Sequence, residues 1–304
     1  MQQFLSLLWI MLPLFVGFFI RLHKPQQLKL IEIAVNYSVY LILTVMGIGL
    51  AQMDNLGGNI LRIMAYAGLF LGGTLAVNML VMGWFDRRFP WKNHTPQDAP
   101  ESRLRAFAGS LKQVGVVVLG VLIGYVLPRS WQMPEQTVSY LLMVLLLLIG
   151  IQLRSSGIAL RTVLINRRGV QTALVFVLAT LSGGWLAGSL LGLPASQSLA
   201  LSSGFGWYSL SGSVMTQAYG AFWGAVALMN DLGRELFALI CIPALMRRHP
   251  SLAVSIGGAT ALDFTLPVIH RSGGVNAVPL AISFSFIINL LAPILMVFFA
   301  GSSF

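Results

Sequence analysis

The feature that most constrains this sequence is a succession of apolar runs, each close to the ~20 residues that one helix needs to cross a lipid bilayer. They fall near residues 4–20, 33–53, 63–85, 107–127, 136–153 and 170–192, bounded by charges or by Gly and Pro. A further run extends from about Ala225 to Met246, closed by Arg247 and Arg248, and a last one from Asn276 to Ala300. Only 9% of the 304 residues are charged and 57% are hydrophobic, whereas roughly a quarter of a soluble domain is charged. A soluble globular fold is excluded. The chain reads as one all-α polytopic membrane domain over residues 1–304, with about eight transmembrane helices and no large soluble part.

The net charge of +10, from 19 Lys and Arg against 9 Asp and Glu, would suggest a nucleic-acid partner in a soluble protein. In a membrane chain it reports orientation instead, because cytoplasmic loops retain Lys and Arg. Arg21, Lys24 and Lys29 follow the first run, and Arg87, Arg88, Lys92, Arg103 and Arg105 follow the third. Arg154, Arg161, Arg167 and Arg168 follow the fifth, and Arg247 and Arg248 the late one, whereas the alternate loops show only Arg62 and Arg129. This asymmetry places the first loop in the cytoplasm and, with eight crossings, both termini outside. Met1 to Phe19 holds no basic residue ahead of its apolar stretch and reads as a retained first span. The single cysteine, Cys241, permits no intramolecular disulfide and no thiolate metal site, and no cofactor or metal is expected.

The first six runs carry a weak internal repeat. Val16-Gly17-Phe18 echoes Ile123-Gly124-Tyr125, Gly47-Ile48-Gly49-Leu50 echoes Gly150-Ile151-Gln152-Leu153, and Gly72-Gly73-Thr74-Leu75-Ala76 echoes Gly183-Gly184-Trp185-Leu186-Ala187. Each match is displaced by three spans, an odd number, so the copies at 1–90 and 107–192 have opposite orientation. That is the inverted-repeat construction of secondary transporters. Residues 193–304 contain broken segments and the last spans; the stretches 193–228 and 251–275 read as hairpins, broken helices or pairs of short spans.

A charged side chain within the hydrocarbon costs at least ~2.5 to 3.5 kcal/mol on insertion scales, so its presence there points to function. Asp86, Asp98, Glu101 and Glu135 fall in loops and read as solvated charges, and Glu32 and Asp54 bracket the second run. Asp231, Glu235 and Asp263 remain. At helical spacing Asp231 and Glu235 share a face, with Arg234 beside both. A helix start capped by Asn230 or Asp231 explains Asp231 and leaves Glu235 unexplained, since Leu236 to Ile240 continue the apolar run. Asp263 lies between Gly257-Gly258 and Pro267, with the hydroxyls of Thr260 and Thr265 on either side. Such interrupted apolar segments mark discontinuous helices beside a site, and an interfacial turn near His270 and Arg271 is the competing reading. A second broken stretch, Ser202 to Ser213, mixes Gly206, Ser209 and Ser211 with Trp207 and Tyr208; its backbone amides suit a substrate carboxylate. An aromatic belt packed through small residues reads equally well there. A pair of intramembrane carboxylates suits a cationic solute and can also carry protons.

At these residues the chain resembles LysO, the bacterial inner-membrane lysine exporter family, over nearly its whole length. The resemblance is carried by Met46 to Leu50 with Asp54-Asn55-Leu56, Leu147 to Gly157, Asn166 to Gly169, Ser203 to Gly212, Asn230 to Leu239 and Gly258 to Val268. It implies export of L-lysine and its toxic analogue thialysine, in exchange for protons, by a transporter and not an enzyme. It also implies eight spans with both termini periplasmic, and it places the family's essential acidic pair on Glu235 and Asp263. A more distant similarity to the cation/proton antiporter and bile-acid transporter group implies crossed broken helices. On this reading Glu235 and Asp263 alternate between proton and lysine ammonium, and Arg234 balances or tunes Glu235. Asp231, Gly206, Tyr208, Ser209, Ser211, Thr260 and Thr265 are auxiliary substrate contacts. The alternatives are an intramembrane hydrolase, using Asp231 with Asp263 or Ser211 with His270, and a passive cation channel.

Overall fold

The computed structural model describes residues 12–13, 15–22, 24–52, 56–91, 103–128, 136–155, 166–262, 264–274 and 276–302. Most of the run at 4–20, together with Asp54, Asp98, Glu101, Glu135 and Asp263, lies outside these residues. Every regular element among the described residues is helical. After a helical stretch at 15–19 come α1 (Pro25–Ala51), α2 (Leu56–Arg88), α3 (Arg103–Val126), α4 (Gln136–Ser155) and α5 (Arg167–Leu190). There follow α6 (Ala195–Ser202), α7 (Tyr208–Tyr219), α8 (Ala221–Met246), α9 (Pro250–Gly257), a 3-10 turn (Gly258–Leu262), α10 (Leu266–Gly273) and α11 (Ala277–Ala300). Stretches of α1, α2, α5 and α11 are each long and apolar enough to cross a membrane. Helix α8 has the length, at 26 residues, but carries three charges in its middle.

Apolar helices in lipid gain little from burying more apolar surface, so small residues that let backbones approach set the packing. A Cβ on Gly120 would meet the Thr44 carbonyl, and one on Gly124 would meet Ile48 and Ala51, which seats α3 parallel to α1. In the same manner Gly17 lies on Leu147 and Ile151 of α4. Helices α2 and α5 run antiparallel: Gly73 abuts Gly183, Asn78 Nδ2 donates to Thr180 Oγ1 at 2.8 Å, and Asp86 pairs with Arg168 at 2.5 Å. Helix α8 follows α2 in parallel, with Tyr66 stacked near Trp223 and Arg234 reaching Thr74.

These contacts fix the two faces of the molecule and the course of the broken stretches. Gly188, near the end of α5, abuts Ser198 at the start of α6, and Gly184 abuts Ser202, so α6 descends antiparallel to α5. Phe205 then reaches Phe176 in the middle of α5, with ring centroids 5.7 Å apart. Helix α7 climbs back to the face it left, where Tyr219 Oη donates to the Ala300 carbonyl at 3.5 Å and Gly49 near the end of α1 faces Ala221. The other broken stretch enters from the opposite face. The Leu252 amide donates to Asp86 Oδ2 at 3.0 Å and Arg168 Nε donates to Ser251 Oγ at 2.8 Å. Helix α9 rises to mid-depth, and α10 descends to the start of α11, whose Ser283 packs on Gly169 near the start of α5. Residues 193–228 and 251–275 thus hold two re-entrant hairpins rather than crossed, fully spanning broken helices. With only eight residues in α6, α9 and α10, or ~12 Å of rise, none of these pieces reaches across a hydrocarbon core.

The hairpins meet tip to tip. The Ala259 amide donates to the Phe205 carbonyl at 2.9 Å, and Ser285 Oγ and Asn289 Nδ2 of α11 donate to the Ala259 carbonyl at 2.7 and 3.2 Å. Close approach and backbone conformation both demand glycine at Gly258, which has φ +57° and where a Cβ would strike the Phe205 carbonyl oxygen. Phe205 itself holds a left-handed φ of +52°, uncommon for a bulky residue and characteristic of functional sites. Substituting Gly258→Ala is expected to destabilise the fold by about 1–3 kcal/mol from backbone strain alone. Thermal unfolding of the purified protein should show a clearly lowered melting temperature, and an unchanged one would contradict the tip contact.

Candidate functional site

The tip contact lies against the middle of α8. Asn230 and Asp231 do not cap a helix start as the apolar run suggests, because the helix begins ten residues earlier at Ala221. Asp231, Arg234 and Glu235 therefore sit well inside the molecule, each 1% exposed. Their depth follows from packing: Arg234 lies level with Thr74 in the interior of α2 and with Phe176 in the middle of α5.

Asp231 is wired into the first hairpin. Its Oδ1 accepts from the Gly206 amide at 3.2 Å and from Asn230 Nδ2 at 2.9 Å. Gly204 lies so close that a Cβ there would meet Asp231 Oδ2 and Ser211 Cβ. The carboxylate thus satisfies a backbone donor at a chain break, where an unpaired group in lipid costs several kcal/mol. Gly206, with φ +94°, brings its backbone against the Arg234 stem.

Arg234 is the largest fully buried side chain among the described residues. Its Nη2 donates to Thr74 Oγ1 at 2.8 Å, and its guanidinium carbon lies 5.6 Å from the Phe176 ring centroid. Its Nε and Nη1 have no hydrogen-bond partner among the described residues. Positions for a Cβ on Gly206 and Gly258 lie 3.3 and 3.7 Å from Arg234 Cδ, so the stem passes between the two tips. Glu235 follows directly, equally buried.

The other sequence-nominated residues divide by location. Tyr208, Ser209 and Ser211 are buried on the first turns of α7. Ser211 Oγ donates to the Tyr208 carbonyl at 3.3 Å. His270, its partner in the hydrolase reading, lies exposed on α10 of the opposite hairpin. Thr260 Oγ1 closes the 3-10 turn on the Gly257 carbonyl at 2.8 Å, and the buried Thr265 hydroxyl has no partner among the described residues. No group of His, Cys, Asp and Glu suited to a metal occurs among the described residues.

Sequence reasoning missed the Asp86 cluster. Asp86 was expected in solvent, yet it is 3% exposed and bonds Arg168 and the amino end of α9. Arg168 also covers the Phe85 ring at 4.3 Å. The available signal was Pro250-Ser251, a helix start lacking an acidic residue of its own, which needs an acceptor from elsewhere.

Comparison with known proteins decides the family. The family model for the lysine exporter LysO matches residues 114–300. The lysine exporter LysO of Escherichia coli K12 is 44% identical over 299 residues, covering 98% of this chain and all of that protein. The chain belongs to the LysO family. A putative lysine exporter of Haemophilus influenzae is 44% identical over 188 residues, which are 62% of this chain and 96% of its relative. No solved structure matches this LysO-family chain.

If the Asp231 carboxylate holds the tip of the first hairpin, Asp231→Leu should cost about 1–3 kcal/mol by stranding the Gly206 amide. Asp231→Asn keeps an acceptor oxygen and should cost less. Melting temperatures of the two variants measure the difference, and equal effects would contradict the role.

Proposed function

We propose that this LysO-family protein exports L-lysine and thialysine from the cytoplasm in exchange for protons. The observation that carries the reading is the placement of Asp231 and Glu235 at the centre of α8, beside two backbone breaks. Ionisable side chains in such a place are expensive and serve substrate or proton pathways. Glu235 and Asp263 are the groups that exchange a proton for a lysine ammonium. Asp263 follows the tip turn by one position in sequence. Asp231, Gly206, Tyr208, Ser209, Ser211, Thr260 and Thr265 border the pathway, and Arg234 balances the acidic charge.

Alternating access follows from the same architecture. Each hairpin closes the centre from one face, so parting one tip while the other stays seated opens the acidic site to a single side. We assign the face bearing Asp86, Arg168 and Ser251 to the cytoplasm of a bacterial inner membrane, because the basic loops gather there, and both termini to the periplasm. Residues 1–90 and 107–192 form inverted repeats. Supporting this, the seat of Gly17 on Leu147 and Ile151 mirrors that of Gly120 and Gly124 on Thr44 and Ile48. The hairpins entering from opposite faces extend the same symmetry through α8 and α11.

In inside-out vesicles with an acidified lumen, lysine or thialysine added outside should discharge the proton gradient, and Glu235→Gln or Asp263→Asn should reduce this to background. Normal exchange by the Glu235→Gln variant would overturn the coupling role. Amino-acid flux indifferent to a collapsed proton gradient would indicate a channel instead.

A further inference from the structure

Arg234 presents a problem that charge balance alone does not solve. A guanidinium buried in the middle of a membrane protein needs nearby anions and occupied N–H groups, because its loss of hydration is costly. Yet the ion pair at 4.0 Å or less among the described residues joins Arg168 to Asp86, not Arg234 to Asp231. Of the five guanidinium N–H groups, Thr74 takes one, and the three on Nε and Nη1 are unpartnered among the described residues. The aromatic face of Phe176 supports the cation without accepting a hydrogen bond. What remains is a planar cation, fixed at its stem between the hairpin tips by Gly206 and Gly258 and at its head by Thr74.

The unused donors match one part of an amino acid. A dibasic amino acid carries two ammonium groups, for which carboxylates are the natural partners, and one carboxylate, which needs a cation. Arg forms a fork that grips a carboxylate with two parallel hydrogen bonds, whereas Lys offers a point charge. We propose that Arg234 binds the α-carboxylate of the exported amino acid. The inference rests on the export reading above and adds to it the group that distinguishes an amino acid from a diamine. The acidic residues along α8 attract any polyamine, and Arg234 selects against cargo that lacks a carboxylate because its buried N–H donors on Nε and Nη1 then stay unpaired.

The test uses purified full-length protein and ligand-induced rises in melting temperature across concentration series, with lysine, lysinamide and 1,5-diaminopentane as probes. Wild-type protein is expected to bind lysine roughly tenfold or more tightly than either probe that lacks the carboxylate. Arg234→Gln should remove that preference, weakening lysine while leaving 1,5-diaminopentane unchanged or tighter. Should Arg234→Gln fail to fold, Arg234→Lys keeps the charge without the fork and should show a reduced preference. Equal binding of lysine and lysinamide by the wild type, or an undiminished preference in a folded Arg234 variant, would overturn the assignment and leave the export reading intact. Wild-type protein that binds none of the three would overturn both.

Discussion

The hydrogen bond from the Ala259 amide to the Phe205 carbonyl joins two chain breaks at the centre of the molecule, and the rest of the structure is arranged to make that contact tolerable. A backbone turn at membrane depth exposes donors and acceptors that lipid cannot satisfy. Here the Gly206 amide is taken by Asp231, the Phe205 carbonyl by the Ala259 amide, and the Ala259 carbonyl by Ser285 and Asn289. Glycine at 258 lets the tips close, and the strained Phe205 presents its carbonyl to the partner hairpin. The charged residues of α8 can exist only beside such a polar seam, which is why chemistry and chain breaks coincide.

The surrounding helices hold the hairpins at their roots. On one face Gly184 and Gly188 let α6 lie against α5. On the other, Asp86 and Arg168 clamp the first turn of α9 to α2 and α5. Among the described residues both hairpins are thus tied to the long helices at their roots and to each other at their tips. In the exporter reading this gives each face its own gate over one shared site.

Much of this was legible in the sequence, for identifiable reasons. Apolar runs bounded by charge located the long helices among the described residues, although α1 and α2 begin at Pro25 and Leu56, well before the runs at 33–53 and 63–85, and α8 begins at Ala221 because Phe222 and Trp223 extend the apolar run on the outer side of Gly224. The rarity of acids in apolar context marked Asp231 and Glu235 directly. Whether Gly- and Ser-rich stretches turn back or continue was not legible. That choice depends on long-range contacts, such as Gly188 with Ser198 and Asp86 with Leu252, that no local propensity encodes. For the same reason Asp86 looked like a loop charge, and Thr74 and Phe176, which embrace Arg234, looked like ordinary residues of apolar helices.

In the proposed exporter, one set of carboxylates is shared between protons and a cationic amino acid. This sharing is tested most directly by adding lysine to the purified protein in weakly buffered detergent solution near neutral pH and recording proton release alongside binding. The account predicts that protons leave as lysine binds, in proportion to the bound lysine and with saturation at the same concentration. Saturable binding of lysine with no proton released at any pH around neutrality would contradict it.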